Sequence, residues 1–274
     1  MSSKKVPPSI PHRTGLTGSI NKFIEEITTT PYYRAAPTRI LKFAYAKWLF
    51  SKHKFKDPVE YLKTLGIEKA AGLDRYDKWR ALLERTVVTV SGGNQGGISM
   101  EDGIILYSVV RALKPRYIIE TGVAAGVSTS FISAALIENG SGDLYSIELP
   151  PENWSPGALN DGAIYGWHER GPGWAIPGEI KRQLGSRHTL ILQDVRTALP
   201  ELLARLPWVD IFFHDDLHTP DHMLWEFELV WPHLRTAGAL IADDVNYGWV
   251  RFCRDLGRDD HSFRNVQRLA AIRK

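Results

Sequence analysis

The stretch VDIFFHDDLHTPDH, residues 209–222, joins an apolar strand to a dense group of ionisable side chains. These side chains are Asp215, Asp216, His218, Asp221 and His222. Carboxylates are ligands for hard cations such as Mg²⁺, and a neutral imidazole can accept a proton near pH 7. The residue types therefore suit metal binding and general-base chemistry, provided that other elements place a substrate beside them.

Carboxylates follow five successive strands that the apolar pattern predicts. The predicted strands are 116–121, 143–148, 188–193, 209–214 and 238–243. The acids at their carboxyl ends are Glu120, Glu148, Asp194, Asp215 with Asp216, and Asp243 with Asp244. Ligands of open α/β sheets bind at the carboxyl ends of the strands. One Asp after a strand is ordinary turn chemistry, but five acidic strand ends in succession indicate a single site.

Helical patterns separate these strands. They cover residues 99–113, 126–139, 196–206 and 222–234. Short apolar strands that alternate with helices predict an α/β fold, a Rossmann-like, doubly wound and mostly parallel sheet. The tail SFRNVQRLAAIRK could add a sixth strand at one edge.

The turn after the first of these strands, ETGVAAGVS, has the features of a nucleoside site. Gly122 and Gly126 would let the backbone approach a ligand, and the helix that follows would direct its amides there. Glu148, at the next strand end, is placed to accept hydrogen bonds from ribose hydroxyls. Glu120, two residues before Gly122, would repel a pyrophosphate. S-adenosylmethionine has no phosphate and carries cationic groups, so this charge favours it over NAD.

These segments together resemble a class I S-adenosylmethionine-dependent methyltransferase. The resemblance is carried by IIETGVAAGVSTSFIS, LYSIEL, LILQDV and FFHDDLHTPDHMLWEFELVWPHLRTAGALIADDV, and it spans about residues 90–250. It is strongest to the branch of metal-dependent macrolide sugar O-methyltransferases and cephalosporin hydroxylase-like proteins. The resemblance implies an O-methyltransferase that uses S-adenosylmethionine and Mg²⁺.

The resemblance also implies roles for individual residues. Asp215, Asp243 and Asp244 would bind one Mg²⁺, and His218, in a D-x-x-H motif, would be the general base. Glu120, Gly122 and Ser128 would contact the methionine side of the cofactor, Glu148 the ribose, and Asp194 with Gln193 the adenine. Gly126 would also belong to the cofactor site. The chain departs from the family pattern at Asp243, where Glu is common, and at Asp216 and Leu217 within the motif.

The other ionisable residues of the opening stretch have structural interpretations. Asp216 would be a solvated neighbour or a helix cap, and Asp221 would be an acid in the first turn of the next helix. His222 would lie on the helix surface or pack against it. His214, at the end of an apolar strand, would be a core imidazole or would support a ligand from behind.

Residues 1–90 are predicted to form a basic helical extension, separate from the domain at 91–274. Residues 1–56 contain eleven Lys or Arg and two Glu, a net charge of +9 in a chain of net charge +3. Helical patterns cover 20–65 and 75–85. The extension could be a solvated helical segment, or it could contact an anionic surface or a partner subunit in a homo-oligomer.

The segment 149–180 is long for a connection between a strand and a helix. It is rich in glycine and contains Trp154, Tyr165, Trp167 and Trp174. We expect a lid over the acceptor, with a surface loop as the alternative.

Composition limits the remaining possibilities. The chain has 274 residues and a single cysteine, Cys253, which excludes an internal disulfide framework. Neither a secretory signal nor an apolar run long enough to span a bilayer is apparent, so we expect a cytoplasmic protein. The predicted activity is Mg²⁺-dependent methylation of a hydroxyl on a sugar or secondary metabolite. The alternatives are a non-catalytic scaffold or membrane-associated protein on this fold, and an NAD-dependent oxidoreductase or epimerase.

Overall fold

The structure is a computed structural model that describes residues 37–52, 54–55, 57–68, 72–91, 97–149, 170–259, 262–264 and 268–274. The first 36 residues of the predicted basic extension lie outside this set. So do residues 150–169 of the predicted lid, with Trp154, Tyr165 and Trp167.

An eight-stranded sheet organises the described residues. Its strands are β1 (Lys54–Phe55), β2 (Tyr117–Thr121), β3 (Asp143–Glu148), β4 (His188–Leu192), β5 (Val209–His214), β6 (Leu234–Ala242), β7 (Ser262–Arg264) and β8 (Arg268–Arg273). The order across the sheet is β1-β7-β8-β6-β5-β2-β3-β4. Strands β2 to β6 pair in parallel, and β8 pairs antiparallel with both β6 and β7. The chain moves from β2 to β3 on one side and later returns to β5 on the other, so the order reverses between β2 and β5.

Helices cover both faces of this sheet. They are α1 (Pro37–Lys52), α2 (Pro58–Thr64), α3 (Tyr76–Ser91), α4 (Met100–Leu113), α5 (Val127–Asn139), α6 (Gly178–Leu184), α7 (Val195–Arg205), α8 (Pro220–Val230) and α9 (Tyr247–Asp255). Local chemistry sets several of their ends. Ser99 caps α4 by accepting from the Asp102 N–H, and Asn246 caps α9 by accepting from the Gly248 N–H.

Successive strand residues contribute to two separate cores. Ile118 and Phe213 pack with helices α2 to α6 on one face, whereas Ile119 and Phe212 pack with α7, α8 and α9 on the other. This alternation follows from the two-residue period of a strand, and it explains why the strands read as continuous apolar runs. The predicted fold class is therefore confirmed.

The N-terminal segment is more closely joined to the sheet than a separate extension would be. Strand β1 pairs with β7, and Tyr61, Leu62 and Trp79 from α2 and α3 belong to the same core as β2. The long helix predicted for 20–65 is interrupted before Pro58, where Asp57 caps α2 by accepting from the Val59 N–H at 2.7 Å. None of the described helices has the length and apolarity needed to cross a membrane.

Candidate active site

Backbone hydrogen bonds join the carboxyl ends of the central strands into one surface. The Asp215 N–H donates to the Thr121 carbonyl at 2.8 Å, and the Asp243 N–H donates to the His214 carbonyl at 2.9 Å. The Gly122 N–H donates to the Ile147 carbonyl at 3.0 Å. The glycine turn and the acids after β5 and β6 therefore lie side by side at the point where strand order reverses, which is where ligands bind in such sheets.

The two glycines of the turn are required for internal packing. Gly122 has a φ of +80°, and a Cβ there would lie 2.0 Å from the carbonyl oxygen of Asp215. Gly126 has a φ of +92°, and a Cβ there would lie 2.4 Å from Cγ1 of Ile176. Both positions need glycine for conformation and for space. The sequence pattern explains these glycines by the close approach of a cofactor. In the structure they are required because the backbone and side chains of the protein itself pack against them. Contact of either glycine with a cofactor stays a prediction.

Glu120 is buried completely and is held by hydroxyl groups. It accepts hydrogen bonds from Ser128 Oγ at 2.6 Å, Thr129 Oγ1 at 2.9 Å and Ser146 Oγ at 2.7 Å. Burial raises the pKa of Glu120 to about 7, although these three bonds oppose the rise. Because neither Glu120 nor Ser128 is exposed, their predicted contact with the methionine end also stays a prediction.

Glu148 closes the other side of the turn. Its Oε2 accepts from the N–H groups of Val123 and Ala124, both at 2.7 Å, and its Oε1 accepts from the Leu149 N–H at 2.9 Å. Burial raises the pKa of Glu148 to about 7, and the charge of Asp216 adds to the rise. The carboxylate therefore lies at the end of β3, against the turn, as the ribose assignment requires.

The predicted adenine contacts lie beside Glu148. The Gln193 N–H donates to the Glu148 carbonyl at 3.0 Å, and Gln193 is partly buried. Asp194 is exposed and caps α7 by accepting from the Arg196 N–H at 2.8 Å. Asp194 therefore has a structural task at the helix start, and its role toward adenine is untested.

Four carboxylates form a second part of the site, which we call the acidic cluster: Asp102, Asp215, Asp243 and Asp244. Asp243 is fully buried, and neither of its carboxylate oxygens has a hydrogen-bond partner. Burial raises the pKa of Asp243 well above its usual value, and the charges of Asp215, Asp244 and Asp102 add to the rise. Uncompensated carboxylates at such close quarters are unfavourable, so the cluster has the chemistry of a cation site.

Asp102 is a member that the sequence patterns did not reveal. It lies in the first turn of α4, bonds with the Ser99 hydroxyl and is fully buried. Burial raises the pKa of Asp102 to about 6, and the charge of Asp244 contributes. The available signal was an acid, Asp102, at a buried position of a mostly apolar helix, whose buried residues also include Ser108 and Arg111.

His218 is next to the acidic cluster. Its Nε2 lies 3.5 Å from Oδ1 of Asp215. Burial by itself lowers the pKa of this imidazole. The hydrogen bond and charge of Asp215, with the charges of Asp244 and Asp243, outweigh burial and raise this pKa to about 10. With the cluster uncompensated, His218 therefore holds a proton at neutral pH.

The predicted magnesium ligands are neighbours, but they are not drawn together around one point. Among the described residues, Asp216, His222 and Glu226 are the group whose potential ligand atoms all lie within 4.8 Å of one another. The potential ligand atoms of Asp215, Asp243 and Asp244 do not form such a group. The bare oxygens of Asp243 nevertheless fit a cation with oxygen ligands, so the donor set is compatible with Mg²⁺.

A network of buried imidazoles and carboxylates lies behind this cluster. His214 Nδ1 is 2.5 Å from Oε2 of Glu226, which also accepts from the Thr121 hydroxyl at 3.0 Å. His222 Nε2 faces Oδ2 of Asp216 at 3.3 Å. Burial alone would raise the pKa of Glu226, but the two imidazoles outweigh it and lower this pKa to about 2. Asp216 and Glu226 are thus parts of a polar network, whereas the sequence pattern predicted Asp216 to be a solvated neighbour or a helix cap and gave Glu226 no role.

Comparison with known proteins identifies the type of fold. Residues 119–245 match the family model of a methyltransferase domain, and this span contains every predicted site residue. An O-methyltransferase of Bacillus cereus, solved with S-adenosylhomocysteine, is 17% identical; the match covers 71% of this chain and 91% of that one, with a TM-score of 0.50. The O-methyltransferase TomG of Streptomyces achromogenes, involved in tomaymycin synthesis and solved with S-adenosylmethionine, is 17% identical; the match covers 79% and 95%, with a TM-score of 0.50. No curated protein sequence matches this chain.

Proposed function

We propose that this chain, whose residues 119–245 match the model of a methyltransferase domain, transfers a methyl group from S-adenosylmethionine to a hydroxyl with the help of Mg²⁺. The observation that carries the proposal is the contact between the glycine turn and the acidic cluster. Gly122 packs directly on the backbone of Asp215. A cofactor on the turn and a hydroxyl at the cluster would therefore be held next to each other, as methyl transfer requires.

The cofactor half of the site comprises the turn after β2 and Glu148. Ribose hydroxyls would donate to the Glu148 carboxylate, and the adenine would lie toward Gln193 and Asp194. Glu120 would act through the hydroxyl groups that it holds, by fixing the first turn of α5. Similarity to solved methyltransferases that contain this cofactor or its product supports the choice of S-adenosylmethionine.

The acceptor half comprises His218 and the acidic cluster. Mg²⁺ held by Asp215, Asp243 and Asp244 would offset the negative field of the cluster and orient the acceptor hydroxyl. The His218 imidazole would then take the hydroxyl proton at Nε2. The hydroxyl oxygen would form a bond to the methyl carbon while the carbon–sulfur bond breaks. The electron pair of the carbon–sulfur bond would stay on sulfur, and S-adenosylhomocysteine would leave.

The acceptor class rests on the resemblance to sugar O-methyltransferases. We propose a sugar or secondary-metabolite hydroxyl, in a pocket that the segment 149–180 would help to close. The described end of that segment supports a position over the turn, because the N–H groups of Gly173 and Ala175 donate to the carbonyls of Ala124 and Ala125.

Calorimetric titration tests the cofactor. S-adenosylmethionine should bind to the purified protein, and NAD, as the control ligand, should not. Replacing Asp243 with Asn should remove the effect of Mg²⁺ on methyl transfer to a panel of hydroxylated acceptors while leaving cofactor binding in place. A folded protein that does not bind S-adenosylmethionine would overturn the proposal.

A further inference from the structure

A compact set of mixed ligand atoms joins α8 to a residue two positions beyond the end of β5. We call it the α8 triad: Asp216, His222 and Glu226. His222 Nε2 is 3.3 Å from Oδ2 of Asp216 and 3.5 Å from Oε1 of Glu226. All three ligand atoms lie within 4.8 Å of one another.

From this arrangement we infer that the α8 triad binds a divalent transition-metal ion, at a site separate from the proposed magnesium ligands. The inference rests on donor geometry alone and does not depend on methyl transfer. It assigns one imidazole nitrogen and two carboxylate oxygens to the ion, with water or a further group completing the coordination.

The first argument is the unsatisfied state of the donors. His222 and Glu226 are 4% and 0% exposed. His222 Nε2 lies 3.3 Å from Asp216 Oδ2 and 3.5 Å from Glu226 Oε1, yet neither His222 Nε2 nor Glu226 Oε1 has a hydrogen bond of good geometry. Buried polar atoms usually have one, so two such atoms pointing at a common centre indicate that something binds between them.

Charge gives the second argument. Without an ion, Asp216 and Glu226 outweigh burial and raise the pKa of His222 to about 9, so the imidazole carries a proton between the two carboxylates. A divalent ion would take the place of that proton and would balance the charge of −2 that the two carboxylates and the neutral imidazole then carry. Glu226 is already oriented from behind, because its Oε2 accepts from His214 and from the Thr121 hydroxyl, and such outer contacts are typical of metal ligands.

The position on the helix gives the third argument. His222 and Glu226 are four residues apart on α8, so they project from the same face one turn apart. Asp216 comes from the end of β5, so an ion at the triad would tie helix to strand. The segment tied in this way, 217–219, carries His218. Binding should therefore stabilise the fold and hold the loop of the proposed base.

The donor set selects the class of ion. Imidazole nitrogen with carboxylate oxygen suits Zn²⁺, Mn²⁺, Fe²⁺ or Co²⁺, whereas Mg²⁺ prefers oxygen ligands and retains its waters. A proton on His222 is the competing occupant. Arg196 Nη2 lies 3.5 Å from His222 Nδ1. Because a guanidinium only donates, this contact favours the form of His222 that carries its proton on Nε2, and a metal ion must displace that proton.

The experiment is a titration of the untagged, chelator-treated full-length chain with Zn²⁺ by calorimetry, with Mg²⁺ in excess. Thermal unfolding is recorded in parallel. We expect one Zn²⁺ per chain at the triad and a higher Tm when the ion is bound. His222→Gln and Glu226→Gln should each weaken this binding by more than the roughly 10–100-fold that loss of an outer contact costs.

Two controls locate the ion. Asp221→Asn changes a carboxylate on the same helix turn whose side chain is 76% exposed, and it should leave Zn²⁺ affinity unchanged. Asp243→Asn alters the acidic cluster and should also leave it unchanged. Binding that survives His222→Gln, binding that is lost in Asp243→Asn, or no binding by a folded wild-type protein would each overturn the inference. Far-ultraviolet circular dichroism of each variant separates lost binding from lost folding.

Discussion

Replacing Glu148 with Gln is the sharpest test of the proposed ribose contact. Glu148 is 8% exposed, and it already accepts three backbone N–H groups from the turn and from Leu149. Gln keeps the shape and one acceptor oxygen but cannot ionise. The variant therefore removes the charge at nearly constant volume, and its amide nitrogen replaces one oxygen that accepts from the backbone.

The magnitude follows from the cost of burying this charge. Burial raises the pKa of Glu148 from 4.5 to about 7, which corresponds to about 3 kcal/mol against the ionised form. A hydrogen bond to a charged group contributes about 1.5–3 kcal/mol. Two ribose hydroxyls would therefore be enough to hold Glu148 ionised in the complex. Near pH 6, below this pKa, S-adenosylmethionine binding should release up to one proton per chain.

Wild-type affinity should consequently rise as the pH increases toward the pKa of Glu148 and level off above it. The limiting slope is about tenfold per pH unit. Near pH 8, Glu148→Gln should bind the cofactor roughly 10–100-fold more weakly, for a loss of about 1.5–3 kcal/mol. The affinity of Glu148→Gln for the cofactor should lack the rise with pH that ionisation of Glu148 causes in the wild type.

Stability gives an independent check with a defined sign. Native Glu148 keeps its proton in the window from pH 4.5 to about 7, whereas the unfolded chain releases it. The contribution of this group to the free energy of unfolding is therefore fully present below pH 4.5 and is lost as the pH rises through about 7. Relative to Glu148→Gln, the wild type should lose about 3 kcal/mol across this window.

The assay is calorimetric titration of S-adenosylmethionine in two buffers of different ionisation enthalpy, which counts the protons released. Glu228→Gln, an exposed change on α8, is the matched control and should behave as the wild type. Equal cofactor affinities for wild type and Glu148→Gln, without proton release in either, would refute the reasoning. Glu148 would then be only a clamp on the turn amides.

Three further changes test other parts of the site. His218→Gln should lower the methyl-transfer rate by roughly 10²–10⁴-fold without changing the Kd of S-adenosylmethionine, and an unchanged rate would remove His218 as the base. Gly122→Ala should cost more than about 4 kcal/mol in denaturant unfolding, because its Cβ would lie 2.0 Å from a carbonyl oxygen. Gly140→Ala, at a φ of +70° with nothing within 4 Å, should cost only about 1–2 kcal/mol, and equal costs would contradict the clash. Asp243→Asn should raise the Tm of the chelated protein, since it removes a buried, mutually repelling carboxylate, and a lower Tm would contradict that view of the cluster.

The central sheet could be predicted because its signals are local. Strand β5 has the predicted bounds, and β2 and β4 each differ from prediction by a single residue at one end. The apolar runs are long enough to mark strands buried on both faces. The prediction of strand bounds was incomplete where a strand is held by pairing with residues far away in the sequence. Strand β6 begins at Leu234, earlier than predicted, because Leu234 pairs with Val209. The residues that follow Leu234 are mostly exposed and polar, so they carry no apolar strand signal.

The ends of the sheet show the same limit. The predicted sixth strand is a pair, β7 and β8, and the outermost strand, β1, comes from the supposed extension. Strand β1 has two residues, too few for any periodic signal, and it exists because β7 offers an unpaired edge. Pairing across more than 200 residues of sequence is not visible in either segment alone.

For the site, the strand ends were predictable and the directions of the side chains were not. Asp215 and Asp216 are adjacent and chemically identical, so residue type alone could not separate them, and only the resemblance assigned Asp215 to the metal. Each lies next to the carboxyl end of β5, where the strand alternation begins to fail. In the structure Asp215 lies with His218 and the acidic cluster, whereas Asp216 lies with His222 on α8.

This division explains why VDIFFHDDLHTPDH places two carboxylates in succession. The network on the α8 side joins Asp216, His222, Glu226 and His214. Asp215 instead lies beside His218, and its backbone packs on the turn where the cofactor is proposed to bind. If the two groups act independently, Asp216→Asn should lower stability or metal affinity at the triad and leave the S-adenosylmethionine Kd unchanged. Asp215→Asn should do the reverse for Mg²⁺-dependent methyl transfer.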